Sequence, residues 1–303
     1  MSPIWLPASL LGGLIQAWRT ALQERLRAQH SVSGAVLVRY LFGLPFAILF
    51  AAGWLARNEA SLPTLEADFL GYAFFGAVTQ MAGTVLLILS FGHRGFIVGT
   101  AFSKTEAIQV ALVTALLFNE RFAPLVWFGI VLGVAGILIL SLGGRGMGLR
   151  QALASLRQPA ALCGLGAGAM FAFAAIAVKL ATAQVTGVGL IGSALTTLVV
   201  VMALQSALHL AWCFARDRRT LHDLRKSPGT SIQVGLLSAI GSGCWYIGFA
   251  AAPAALVRIV GQVEVFFTVG FARFYLREPI RAPEVAGLAL VALGVVFALW
   301  GTR

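Results

Sequence analysis

The chain contains 11 acidic residues, and two of them, Glu106 and Glu264, lie deep inside long apolar runs. A carboxylate at the centre of a bilayer costs about 2.5–3.5 kcal/mol on an insertion scale. An acid so placed is expected to face a bundle interior or a water-filled cavity, to be paired, or to be protonated. Glu106 falls about ten residues into a run of roughly 22, near the bilayer centre at about 1.5 Å of rise per residue, and Glu264 is equally deep. Two such acids could bind a solute or exchange a proton. The competing reading is a buried ion pair with Lys104, Arg258 or Arg39.

Spacing sorts the neighbours of these acids. Gln109 stands three residues from Glu106 and shares its helix face; Arg258 and Gln262 stand four apart and share another. Lys104 is two residues from Glu106, about 200° around a helix, so both reach one cavity only if the helix is broken. Arg258 precedes Glu264 by six residues, on a different face but about 9 Å away along the axis. A guanidinium holds a carboxylate bidentately, so Arg258 is the first candidate to bind an organic acid, and charge compensation for either glutamate is the alternative. Arg39 is a further candidate partner for Glu106. Arg19 and Lys179 lie near helix ends and are expected to snorkel toward the interface. Gln80, Trp245 and Tyr246 sit where a cavity wall would run; aromatic walls suit planar or cationic solutes, and plain packing is the alternative. The candidate substrate-binding set is therefore Glu106, Glu264, Arg258, Gln262, Lys104, Gln109, Arg39, Gln80, Trp245 and Tyr246. Glu120 and Glu278, beside Arg121 and Arg277, read as anchors at helix ends.

Other motifs fail on their context. Gly187, Gly189 and Gly192 have the spacing of a dinucleotide fingerprint. No strand precedes them, however, and no acid follows about 20 residues on. No phosphate-binding loop, zinc-protease motif or hydrolase nucleophile elbow is present. His30, His93, His209 and His222 are scattered, and Cys163, Cys213 and Cys244 match no zinc spacing and read as free thiols. No catalytic residue, metal site or cofactor is expected, and the chain is not read as an enzyme.

The elements that must position these residues are membrane helices. Of 303 residues 59% are hydrophobic and 11% charged, and the mean hydropathy is +0.89. Soluble domains run about 45–50% apolar and about 25% charged. Ten apolar segments can be delimited, at 4–22, 34–56, 69–91, 96–118, 123–142, 160–182, 187–214, 231–251, 254–276 and 284–301. Each is too long for a barrel strand and lacks its alternation, so each is expected to be a helix. Turn chemistry separates them at Leu62-Pro63, Gly92-His93-Arg94-Gly95, Gly143-Gly144-Arg145-Gly146 and Ser227-Pro228-Gly229. Pro45 is expected to kink the second. The N-terminal residues lack the basic stretch of a cleavable signal.

Residues 83–136 slide onto 241–294 without a gap, at an offset of 158. Gly83 falls on Gly241, Phe91 on Phe249, Glu106 on Glu264, Glu120 on Glu278, Gly129 on Gly287 and Gly136 on Gly294. The expected organisation is two five-helix repeats, 1–143 and 158–303, joined by a linker at 144–157. An odd number of spans per half turns the second half over. That is an all-α polytopic membrane protein of ten transmembrane helices in two inverted repeats, a plan of secondary transporters.

At this point the residues resemble a known family. Leu117-Phe118-Asn119-Glu120-Arg121-Phe122 with Gly129 and Gly136, and Leu276-Arg277-Glu278-Pro279-Ile280 with Gly287 and Gly294, resemble the repeat ends of EamA-type members of the drug/metabolite transporter superfamily. Arg39 also resembles a basic residue common in that family. The resemblance covers nearly the whole chain and implies a ten-helix carrier of small metabolites or drugs. Many members carry a proline midway along the fourth and ninth spans; this chain has Lys104-Thr105-Glu106 and Gln262-Val263-Glu264 there.

The expected function is secondary active transport of a small organic solute across the inner (plasma) membrane by alternating access, with protons as the candidate coupling ion. An uncoupled facilitator or channel, or a polytopic membrane enzyme, are the alternatives. The expected partners are the solute and the lipid bilayer. The net charge of +11 is assigned to lipid headgroups and topology rather than to nucleic acid. Nothing in the sequence specifies an oligomeric state. Loops after odd-numbered spans hold 13 of the 22 basic residues; the termini and the loops after even-numbered spans hold 3. Basic loops stay cytoplasmic, so the count places both termini outside, whereas the family resemblance implies termini inside.

Overall fold

Hydrocarbon offers the backbone no hydrogen-bond partner, so apolar runs must satisfy themselves as helix. The structure, a computed structural model, describes residues 2–27, 31–59, 61–94, 102–143, 159–224, 227–274 and 282–302. The first half contributes α1 (Trp5–Arg27), α2 (Val32–Leu41), α3 (Leu44–Arg57), β1 (Thr64–Leu65), α4 (Phe69–Arg94), α5 (Glu106–Leu117) and α6 (Pro124–Gly143). The second contributes α7 (Pro159–Ala183), β2 (Val185–Thr186), α8 (Gly189–Arg216), α9 (Arg218–Asp223), α10 (Pro228–Ala251), α11 (Ala254–Gly261), α12 (Glu264–Phe274) and α13 (Ala282–Trp300). The expected linker at 144–157, and Arg277 and Glu278, lie outside the described residues.

Among the described residues six helical segments are long and apolar enough to cross a membrane: Val32–Arg57, Phe69–Ser90, Ala161–Ala183, Gly189–Arg216, Pro228–Ala251 and Ala254–Phe271. Three shorter apolar helices are Glu106–Leu117, Pro124–Ile139 and Val285–Trp300. The first expected span is helical but extends to Arg27, beyond its apolar part. The second, Val32–Arg57, is interrupted where Pro45 is expected to kink it. It breaks at Phe42–Gly43, and Pro45 stands in the first turn of α3, where a missing N–H costs nothing. A Cβ on Gly43 would lie 2.5 Å from the Arg39 carbonyl oxygen, so the break requires glycine. The two short strands pair antiparallel, Thr64 with Thr186 and Leu65 with Val185. Gly187 (φ +85°) and Gly189 (φ +67°) then turn the chain into α8. These glycines serve backbone geometry that side-chain-bearing residues rarely adopt, which accounts for the spacing that resembled a nucleotide motif.

The chain divides into two compact units, each drawing on both halves: Met1–Met81 with Phe173–Ala252, and Ala82–Ala172 with Pro253–Arg303. In the first unit α10 packs against α1, α8 and α2, around Leu22, Leu37, Val38, Cys213, Val234 and Leu237. In the second, α6 packs along α13. A Cβ on Gly129 would meet the Gly294 carbonyl oxygen at 2.5 Å, and one on Gly136 the Gly287 oxygen at 2.6 Å. Backbone therefore touches backbone, as small residues permit between membrane helices, and the crossed pairing shows that the two helices run antiparallel. Large apolar side chains such as Leu116 and Phe274 are exposed, as a lipid-facing surface requires.

One expectation about a cation is corrected. Arg19 is buried rather than snorkelling. The Lys179 ammonium donates to the carbonyls of Phe249 (3.1 Å) and Ala252 (2.7 Å). It caps the C-terminal end of α10, where carbonyls lack partners and the helix dipole favours a cation. Glu120 is not seen as a side-chain anchor: its Oε2 makes no hydrogen bond with a described residue. Its backbone N–H folds back onto the Thr114 carbonyl (3.2 Å), past Asn119 at φ +57°.

Candidate functional site

In the second unit both deep glutamates stand at a helix break. Phe102 and Ser103 are helical, Lys104 and Thr105 turn, and α5 begins at Glu106. In the same way α11 ends at Gly261, Gln262 and Val263 turn, and α12 begins at Glu264. No proline makes either break. Both tighten to i→i−3 bonding instead: Thr105 N–H to Phe102 O (3.3 Å), Ala107 N–H to Lys104 O (3.3 Å), Gln262 N–H to Ile259 O (3.1 Å) and Val265 N–H to Gln262 O (3.0 Å). Each carboxylate thus sits on the first turn of a half-helix, where unpaired N–H groups carry partial positive charge worth about 0.3–1 kcal/mol to an anion.

The breaks bring together the charges that an unbroken helix would hold apart. Lys104 pairs with Glu264, and Arg258 Nε lies 2.6 Å from Glu106 Oε1. Each glutamate takes its cation from the other half of the sequence. The four side chains are almost fully enclosed, Arg258 least so at 12% exposure. Their formal charges cancel, which is what makes them tolerable: removing one partner of a buried pair costs about 3–5 kcal/mol.

Glycines on adjoining helices seat both breaks. A Cβ on Gly168 of α7 would lie 2.9 Å from Ser103 O and 3.2 Å from Glu106 N. Gly133 of α6 leaves the room taken by the Gln262 side chain. Gln109 donates to Thr105 Oγ1 (3.0 Å) and Leu165 O (3.4 Å), bracing the first break. Thr268 donates to the Glu264 carbonyl (3.0 Å) in the second. Gln262 differs from all of these. It is 1% exposed, and neither end of its amide makes a hydrogen bond with a described residue.

The remaining expected site residues belong to the first unit. Gln80 Oε1 accepts from Gln205 Nε2 (2.9 Å) and from the Tyr246 hydroxyl (3.2 Å). Trp245 Nε1 donates to Gln16 Oε1 (3.0 Å), and its ring stacks with Phe249 at 6.3 Å. The Arg39 guanidinium lies 5.5 Å from the centre of the Tyr40 ring. Farther along α8, His209 Nε2 is 2.9 Å from Ser33 Oγ. Sequence reasoning missed Gln16 and Gln205. The available signal was the same as for Gln80: an amide in an apolar run must find partners, and Gln205 lies within 187–214.

A model of the EamA-like transporter family matches residues 3–142 and again residues 158–300. The chain is 26% identical to the L-rhamnose-proton symporter of Cronobacter sakazakii, over 81% of this chain and 76% of that protein. It is also 26% identical to the L-rhamnose-proton symporter of Escherichia coli strain SMS-3-5, over 77% and 73%. A solved crystal structure superposes with a TM-score of 0.66 at 15% identity, covering 97% of this chain and 98% of that one; that likeness speaks for the fold.

Proposed function

We propose that this chain, which belongs to the EamA-like transporter family, is a proton-coupled secondary transporter of a small polar solute in the plasma membrane. That it is a multi-pass helical membrane protein and a transporter rather than an enzyme follows from the family and the apolar helices. The finer reading is carried by one observation: two enclosed carboxylates, each at a helix break and each held by a cation from the other half. A proton on either carboxylate removes its charge and releases the cation. The cation left enclosed without its partner is costly where it stands, and that cost drives the half-helix toward a second arrangement. Such a cluster has discrete arrangements that a proton biases, which alternating access requires. The relatives are named proton symporters, which favours a proton gradient over solute exchange as the driving force.

Two further expectations enter this reading. The halves 1–143 and 158–303 act as inverted repeats. The two family matches, the antiparallel glycine pairs and the exchanged ion pairs support this. The solute is polyhydroxylated, as the names of the relatives suggest. Glu106, Glu264, Lys104, Arg258, Gln109 and Gln262 form the coupling and binding set in one unit. Gln80, Trp245, Tyr246 and Arg39 form a polar set in the other.

Reconstituted Glu106→Gln and Glu264→Gln proteins test the coupling. Each leaves a buried cation unpaired and is expected to melt lower than wild type, yet to insert and fold and to lose uptake driven by a pH gradient. Wild-type uptake by both variants under the same gradient would remove the glutamates from the mechanism, and flux indifferent to the gradient in the wild type would mark an uncoupled facilitator.

A further inference from the structure

Beyond coupling, we infer that Gln262 reads two neighbouring hydroxyl groups of a neutral solute, an inference that rests on the transporter reading above. The offset of 158 puts Gln262 in register with Lys104. At that position the first half carries a cation engaged with Glu264; the second carries an amide. Glu106, the repeat mate of Glu264, is served instead by Arg258. Gln262 is thereby relieved of any role in charge balance, yet it is as buried as the ions beside it. Both ends of its amide make no hydrogen bond with a described residue. A buried, unpaired amide weakens a fold that an unbranched apolar side chain would fill better. Ligand binding is the gain that offsets this.

The chemistry of the group selects the ligand. A primary amide offers a carbonyl acceptor and an N–H donor side by side. A carboxylate would use only the donor and an ammonium only the acceptor. A pair of adjacent hydroxyls, each both donor and acceptor, uses both. The four adjacent charges sum to zero, so a neutral solute leaves the enclosed site balanced where an ionic one would not. A site built to bond hydroxyls rejects analogues lacking them, because its own polar groups are left unpaired. The position supports the same role, because Gln262 forms the turn between α11 and α12, and a solute held there bears directly on the break.

The experiment uses full-length protein in proteoliposomes, measuring equilibrium exchange of labelled L-rhamnose and its monodeoxy analogues without a pH gradient, so a failure of proton coupling leaves this readout intact. Gln262→Met keeps length and removes both polar atoms. It is expected to raise the half-saturation concentration for L-rhamnose about tenfold or more, a loss of about 1.4 kcal/mol. One deoxy analogue should bind wild type weakly and the variant no worse. The variant should melt no lower than wild type. Gln262→Asn, which retains both groups on a shorter arm, should fall between the two. Unchanged half-saturation in both variants, an equal loss for every analogue, or a wild type that exchanges lactate or lysine but no neutral polyol would each overturn the inference.

Discussion

At the scale of single residues, two ion pairs carry the candidate mechanism, and they are coupled to the fold as well as to function. Lys104→Met leaves Glu264 enclosed without its cation and is expected to destabilise by about 3–5 kcal/mol, read as a lower Tm in detergent micelles. Adding Glu264→Gln should restore most of that loss, because the remaining pair is neutral; a double variant no more stable than the single one would show that the two side chains do not act as a pair. Both glutamates and both cations were legible as candidates, since ionisable groups in apolar runs are few. Which cation serves which glutamate was not, since rotation about a helix axis decides facing and the sequence leaves that rotation open.

At the scale of elements, the helix breaks and the glycine contacts matter most. Face arguments from 3.6-residue periodicity separate Lys104 from Glu106 by about 200°. The condition under which they fail, a broken helix, is met at Lys104–Thr105 and again at Gln262–Val263. The paired glycines make a sharper prediction. Gly136→Ala drives a Cβ against the Gly287 carbonyl oxygen and should cost about 1–3 kcal/mol, as overpacking does. Gly71 has nothing within 4 Å of an added Cβ, so Gly71→Ala should be neutral or stabilise by about 0.5–1 kcal/mol through helix propensity. Thermal melting of both purified variants checks the contrast, and equal effects would contradict the backbone contact between α6 and α13.

At the scale of the whole molecule, orientation is set by charge outside the helices. The 13-to-3 division of loop and terminal basic residues predicts both termini outside, since translocating Lys- and Arg-rich loops is disfavoured. The family resemblance implies the reverse. Arg25 and Arg27 fall in the last turns of α1, which keeps them at the end assumed in the count. Alkaline phosphatase fused after Arg303 is expected to be active, and a green fluorescent protein fused there is expected to be dark. A fluorescent fusion would show that termini inside is correct and that the basic loops face outward.

Hydropathy and register are local or linear properties, so the sequence by itself determined where the apolar segments run, that Glu106 and Glu264 lie inside two of them and the 158-residue offset between the halves. Tertiary structure decided the rest. The division into units that each take helices from both halves, the exchange of cations between glutamates and the unpaired amide of Gln262 depend on which helices meet and how each is turned. Those choices are made by contacts between residues far apart in the chain. Glycines at 129, 133, 136, 168 and 294 permit such contacts by what they lack, and a missing side chain says that something approaches closely without saying what.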